Sequence, residues 1–262
     1  MLHRHDDTGL TVISQPAHAW ISGQLAAAWG NEVLGLAAAG PELRLAAEQH
    51  DIAWLAWERS PTLNSASGLP YAFNQLPTFD HLALWSNAIP LALAYGRLPA
   101  MIISMHGTYL YRRFHDFEAD ASDEAAAAHA FLQSEERAQT GLLRSLEATG
   151  DISQKEVQHQ RKLLSLWDAM SLALCMGFTG SRTFDGVPTS DGELALIVEA
   201  LDVAGARYRV DPWPFAGQDL LLQCEGRRLA QTFYDEVAMR AALDAAEPVR
   251  LRFALEPARL LD

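Results

Sequence analysis

Ionisable residues on apolar helix faces constrain this chain most, because a buried carboxylate or imidazole needs a partner inside the fold. His18 lies at helical spacing with Ile21, Ser22, Leu25 and Trp29. His50 shares a face with Leu43, Ala46, Ala47, Ala53, Trp54 and Trp57, and Asp51 follows it directly. His81 and His106 fall on the next two expected helices, the latter among Ile102, Ile103 and Leu110. Asp168 is the charged residue on a face with Leu164, Ser171, Leu172 and Cys175. Side chains three and four apart share a helix face, so these groups point toward a core. Imidazole nitrogen and carboxylate oxygen are the ligand types of iron, manganese and zinc. One or two such ions are the partner implied, with Asp51 able to bridge a pair.

Composition narrows the class. Of 262 residues, 49% are apolar, enough to form a sizeable core, and the aliphatic set is rich in the helix formers Ala and Leu. A net charge of −13 argues against a nucleic-acid polymer as partner, since phosphate binding needs clustered cations. Lysine occurs only at Lys155 and Lys162, so an anionic small-molecule substrate would have to be met mainly by arginine. Arg112 and Arg113, two turns beyond His106, and Arg161, two turns before Asp168, are the candidates. Two isolated cysteines, Cys175 and Cys224, fit a reducing compartment. The polar start MLHRHDDTG has no apolar leader, and the apolar stretch Ile89–Met105 is broken by Pro90, Arg97 and Pro99. The expectation is a cytoplasmic protein with no membrane contact, compatible with a homo-oligomer.

Along the chain, residues 1–14 read as a hairpin turning at Asp6-Asp7-Thr8-Gly9. A helix is expected from Pro16 to Gly30 and a second from Pro41 to about Trp57. A polar loop over 58–79 follows, then helices near Asp80 and after Pro99. Phe117–Asp123 is acidic and reads as exposed. Glu124–Glu147 reads as an Ala-rich helix, and Asp151 with Gln154 reads as the cap of a helix ending at Gly177. Beyond it, Val249, Leu251, Phe253 and Leu255 alternate with polar residues, and Cys224-Glu225-Gly226-Arg227 reads as a hairpin turn. Asp235–Ala246 reads as a helix. The expected organisation is a mainly α domain over 1–177 and a small β-rich appendage over 178–262 that shares a sheet with the N-terminal hairpin. His3 and His5 lie on one strand face. His115, His129 and His159 sit among polar residues and read as solvated.

The order His18, His50-Asp51, His81, His106, Asp168 resembles the HD-domain superfamily of metal-dependent phosphohydrolases. The two histidines between His50-Asp51 and Asp168 resemble its dinuclear branch, which includes HD-GYP-type phosphodiesterases and di-iron oxygenases such as myo-inositol oxygenase. That resemblance implies an HD-like helical bundle, with His18, His50, Asp51 and Asp168 as core ligands and His81 and His106 completing a second metal. Trp54 stands where many dinuclear members carry lysine, and there is no GYP tripeptide, so cyclic dinucleotide hydrolysis is not implied. The whole chain also resembles an uncharacterised family of bacterial proteins.

Hydrolysis of a small phosphate ester or nucleotide is the leading expectation. A di-iron oxygenase acting on a polyol or phosphonate, and a non-catalytic metal- or ligand-binding protein, are the alternatives.

Overall fold

The computed structural model describes residues 1–6, 9–114, 122–150 and 152–258. The expected turn at Asp7 and Thr8, His115, most of the acidic stretch from Phe117, and Asp151 lie outside them.

A hairpin of β1 (Leu2–Asp6) and β2 (Gly9–Ile13) leads into α1 (Gln15–Ala28). Ser14 caps α1 by accepting the Ala17 N–H, and Pro16 occupies the first turn. Next come α2 (Pro41–Gln49), the short α3 (Leu55–Glu58) and a small ribbon of β3 (Leu63–Asn64) and β4 (Leu69–Pro70). Five helices follow: α4 (Thr78–Trp85), α5 (Ala88–Ala92), α6 (Arg97–Phe114), α7 (Asp123–Ala148) and α8 (Gln154–Met176). Ser153 and Glu156 form the capping box of α8, in place of the expected Asp151 and Gln154. The chain ends in β5 (Ser181–Pro188), β6 (Glu193–Ala200), β7 (Arg207–Asp211), β8 (Leu220–Leu229), α9 (Glu236–Ala245) and β9 (Pro248–Pro257).

Seven strands form one sheet in the order β1-β2-β8-β9-β7-β6-β5. Every pairing is antiparallel except β7 with β9. The expectation of a mainly α helical bundle with a small β-rich region is therefore corrected: the fold is mixed α/β, and its sheet is a principal layer. Two local signals mislead. The strand ELALIVEA of β6 is built largely from good helix formers, and its tertiary pairing overrides that preference. Gly226 reads as a turn but sits inside the continuous strand β8. A Cβ there would fall 2.6 Å from Thr11 and 2.8 Å from the Val12 carbonyl, so glycine serves close strand approach instead.

One core joins both layers. Val198, Val210, Leu222 and Phe253 from the sheet pack in the same cluster as Ile21, Leu25, Trp29, Leu164 and Trp167 from α1 and α8. Burying each such aliphatic or aromatic side chain contributes about 1.5–3 kcal/mol. A second cluster places Met239 and Leu243 of α9 against Leu10, Val12 and Leu229. The helices α1 and α2 approach closely at Gly23, where a Cβ would lie 2.8 Å from Glu48. Among the described residues no helix is long and apolar enough to cross a membrane.

Candidate metal centre

Four segments of the helical layer deliver ionisable side chains to one buried point. His18 comes from the first turn of α1, His106 from α6 and Asp168 from α8, while His50 is the residue that ends α2. The expected helix to Trp57 is broken there. Asp51 adopts φ −101°, ψ 19°, in the sparsely populated bridge region where many active-site residues sit. This break lets His50 and Asp51 turn toward the same point, although neighbours on an unbroken helix diverge by about 100°.

The distances are short and mutual. His18 Nε2 lies 2.8 Å from Asp51 Oδ2 and 3.6 Å from Asp168 Oδ1. His50 Nε2 is 3.4 Å from each of those oxygens, and His106 Nε2 is 3.5 Å from Asp168 Oδ2. All five residues are buried, His18 completely. Two donor atoms about 2.1 Å from a shared tetrahedral ion would themselves be roughly 3.4 Å apart. Most of the observed separations match that value.

The opposite edge of each imidazole decides what the Nε2 atoms can be. The Ser171 hydroxyl donates to the Asp168 carbonyl at 2.8 Å, and it accepts from Ser22 at 3.0 Å. Its proton is thus spent, and His18 Nδ1, 2.7 Å away, must be the donor to it. His50 Nδ1 faces the Ala47 carbonyl at 2.8 Å, and a carbonyl only accepts. So in their neutral forms both rings turn a bare Nε2 lone pair toward carboxylates. His106 Nδ1 is held by Ser165 at 3.2 Å. The Nε2 atoms of His50 and His106 are buried and make no hydrogen bond. Lone pairs and carboxylates facing each other in a buried cluster call for a cation among them, either a metal ion or a proton on one of the rings. His18, His50 and Asp168 form one buried group that could hold a metal ion.

Proton affinity moves in opposite directions at two of the rings, and in the metal-free cluster His50 is the ring that holds a proton. Burial opposes a charge on His50, but Asp51 and Asp168 outweigh it and push its pKa up to about 9. His106 is pushed down to about 4, chiefly by burial. Burial also opposes ionisation of Asp168 and Asp51, yet the surrounding histidines prevail and hold both carboxyls below their usual range.

His81 is not brought to this point. It stays in the wall of the adjoining cavity, with Nδ1 bonded to the Tyr111 hydroxyl and Nε2 accepting from Trp85 Nε1 at 3.3 Å. The structure assembles five of the six sequence candidates, and they surround one position. The arginine candidates stand outside the cavity. Arg112 pairs with Glu136 and Arg113 is exposed. Arg161 stacks on the Tyr109 ring, with 4.6 Å from its guanidinium carbon to the ring centroid. His3 is half-buried while His5 is exposed.

Sequence reasoning gives no role to Ser165 and Ser171. Their signal is the stripe Ser165-x-x-Asp168-x-x-Ser171, polar residues at helical spacing on an otherwise apolar face. Gly107, next to His106, is a further one. A Cβ at Gly107 would fall 2.6 Å from the Trp85 ring, so α6 meets that ring directly.

The cluster opens onto a cavity of about 490 Å³. Its walls include Trp54, Phe73, Trp85, Tyr109, Leu110 and Leu172.

The chain belongs to the family described as Protein of unknown function (DUF3891), which matches residues 1–231. No curated protein and no solved structure matches it. The resemblance to the HD-domain superfamily is thereby corrected. The matched span runs through the sheet as far as β8, and a seven-stranded sheet packed on the helices is not an HD helical bundle. A His, His-Asp, Asp order reflects what a metal-like cluster needs, and it does not by itself define ancestry.

Proposed function

We propose that this protein is a metal-dependent hydrolase that cleaves a small phosphate ester at one ion, iron, manganese or zinc. The observation that carries this reading is the pair of buried Nε2 lone pairs on His18 and His50, fixed by their Nδ1 partners and aimed at two carboxylates. His18, His50 and Asp168 would hold the ion, with His106 and Asp51 beside them. A bound divalent ion supplies a water of lowered pKa and positive charge for the phosphoryl oxygens. Ser171 and the Ala47 carbonyl would keep His18 and His50 in the tautomer that presents Nε2, and Ser165 would help orient His106. Asp51 is placed to accept a proton from a water beside it.

A second reading is favoured by one feature. Two histidines and one carboxylate with open positions also suit non-haem iron and oxygen chemistry. Elemental analysis of untagged protein, purified without added metal, separates the possibilities when joined to a phosphate-ester panel and an oxygen electrode. Near-stoichiometric metal that is lost in His50→Ala, with phosphate release and no oxygen uptake, is the expected result. Iron-dependent oxygen uptake without phosphate release would transfer the assignment to the oxygenase. Absence of metal in the wild type, even after incubation with each ion, would sink both.

A further inference from the structure

The cavity beside the cluster has walls of a particular kind. Among the described residues that line it, none is lysine, arginine or glutamate. Trp54, Phe73, Trp85 and Tyr109 supply aromatic surface, and Leu110 and Leu172 supply aliphatic surface. Its volume of about 490 Å³ lies within the usual range for small-molecule sites. The cation closest in role, Arg161, is separated from it by the Tyr109 ring on which it stacks. Charge inside the chamber is therefore concentrated at one end. There, Asp51 and Asp168 would offset most of a divalent ion's charge, so the metal end suits one head group and offers nothing to a second anionic group.

We infer that the ligand of this chamber is a small molecule with an uncharged, apolar or aromatic body and a single oxygen-bearing head that reaches the metal end, rather than a nucleotide or sugar phosphate. The inference rests on the cavity serving the metal centre proposed above, and not on which reaction runs there. Burying a ring against these walls contributes through removal of apolar area from water and ring–ring contact. A second phosphate would meet walls without lysine or arginine, where neutral polar groups such as Asn74, Thr78 and Tyr109 cannot offset its charge, and burying an unpaired charge is unfavourable.

A matched pair of uncharged chelators tests this directly. Benzohydroxamate and acetohydroxamate carry the same metal-binding head, and only the first has a ring. Binding to the metal-loaded wild-type protein is read by titration calorimetry and by tryptophan fluorescence, with AMP as the charged probe. Benzohydroxamate should bind at least about tenfold tighter than acetohydroxamate. AMP should bind more weakly than either. In Leu172→Lys the ring preference should shrink and AMP should gain affinity, with metal content retained. Leu172→Ala, the milder change, should weaken only benzohydroxamate. Equal affinities for the two hydroxamates, tighter binding of AMP, or no benzohydroxamate binding to metal-loaded protein would overturn the inference while leaving the metal centre standing. A protein that takes up no metal fails the functional reading before any probe is added, and the ligand class falls with it.

Discussion

Two groups of buried charge lie at neighbouring levels of the same helix, and they are treated in opposite ways. Arg4, on β1, is buried against the C-terminal end of α8. Its guanidinium donates to the carbonyls of Leu174, Cys175, Ala204 and Gly205 at 2.9, 3.1, 2.7 and 3.2 Å. The Leu174 and Cys175 carbonyls, at the end of α8, have no acceptor role inside the helix, while those of Ala204 and Gly205 lie between β6 and β7, so Arg4 completes the helix end and joins it to the sheet. One to two turns earlier on α8, Asp168 faces His18, His50 and His106, and two of those rings end in unpartnered buried nitrogens. A charge that serves the fold is closed off by hydrogen bonds. A cluster that serves a ligand keeps donor atoms in reserve. The contrast shows which buried charge to read as architecture and which as chemistry.

Removing the metal should have the largest effect. At a thousandfold excess of metal over its Kd, the loaded protein should be about 4 kcal/mol more stable than the chelated one, roughly 10 °C in Tm. Thermal melts with and without chelator measure this, and identical melts would erase the difference between the two groups. Arg4→Met comes next. It should cost about 3 kcal/mol in denaturant unfolding, because it strands the α8 carbonyls, while bound metal stays unchanged. If metal content fell in parallel, the two sites along α8 would be coupled and the distinction less sharp.

Ser171→Ala should invert that pattern. Stability should change little, but metal affinity should fall about 10- to 100-fold in competition with a chromophoric chelator, since His18 loses the acceptor that fixes its tautomer. Unchanged affinity would reduce Ser171 to packing. The smallest effect concerns pH. Burial first, then neighbouring positive charge, pushes His3 down to about 4. The unfolded chain therefore binds a proton that the folded chain refuses, and stability is lost as pH falls from 6.5 toward 4. His3→Gln should flatten that limb of the metal-free protein slightly, because His3 is partly exposed and screened. An unaltered limb would leave His106, pushed down to a similar value, as the histidine that governs it.

These tests also bear on what the sequence discloses. The convergence of His18, His50, Asp51, His106 and Asp168 is legible because each interrupts an apolar helix face, a local pattern. His81 interrupts such a face as well, and Trp85 one turn on is a local partner, but its other partner, Tyr111, is set by how α4 meets α6, which no local pattern encodes. The extent of the sheet is hidden for the same reason. The parallel pairing of β7 with β9 joins segments separated by β8 and α9, and Gly226 is interpretable only once β2 lies beside it. The serines that touch the rings are visible as a stripe, yet their role appears only when those rings are in place.

Gly107 gives position control over the centre without touching its chemistry. The Trp85 ring rests against the backbone of α6 one residue beyond His106, with no room for a methyl group between them. The thickness of position 107 thus gauges how far the cavity wall stands from the helix that carries a cluster imidazole. An alanine there would bring no charge, donor or acceptor, yet it would force the ring and the imidazole-bearing helix apart, like a shim slipped under one leg of an instrument.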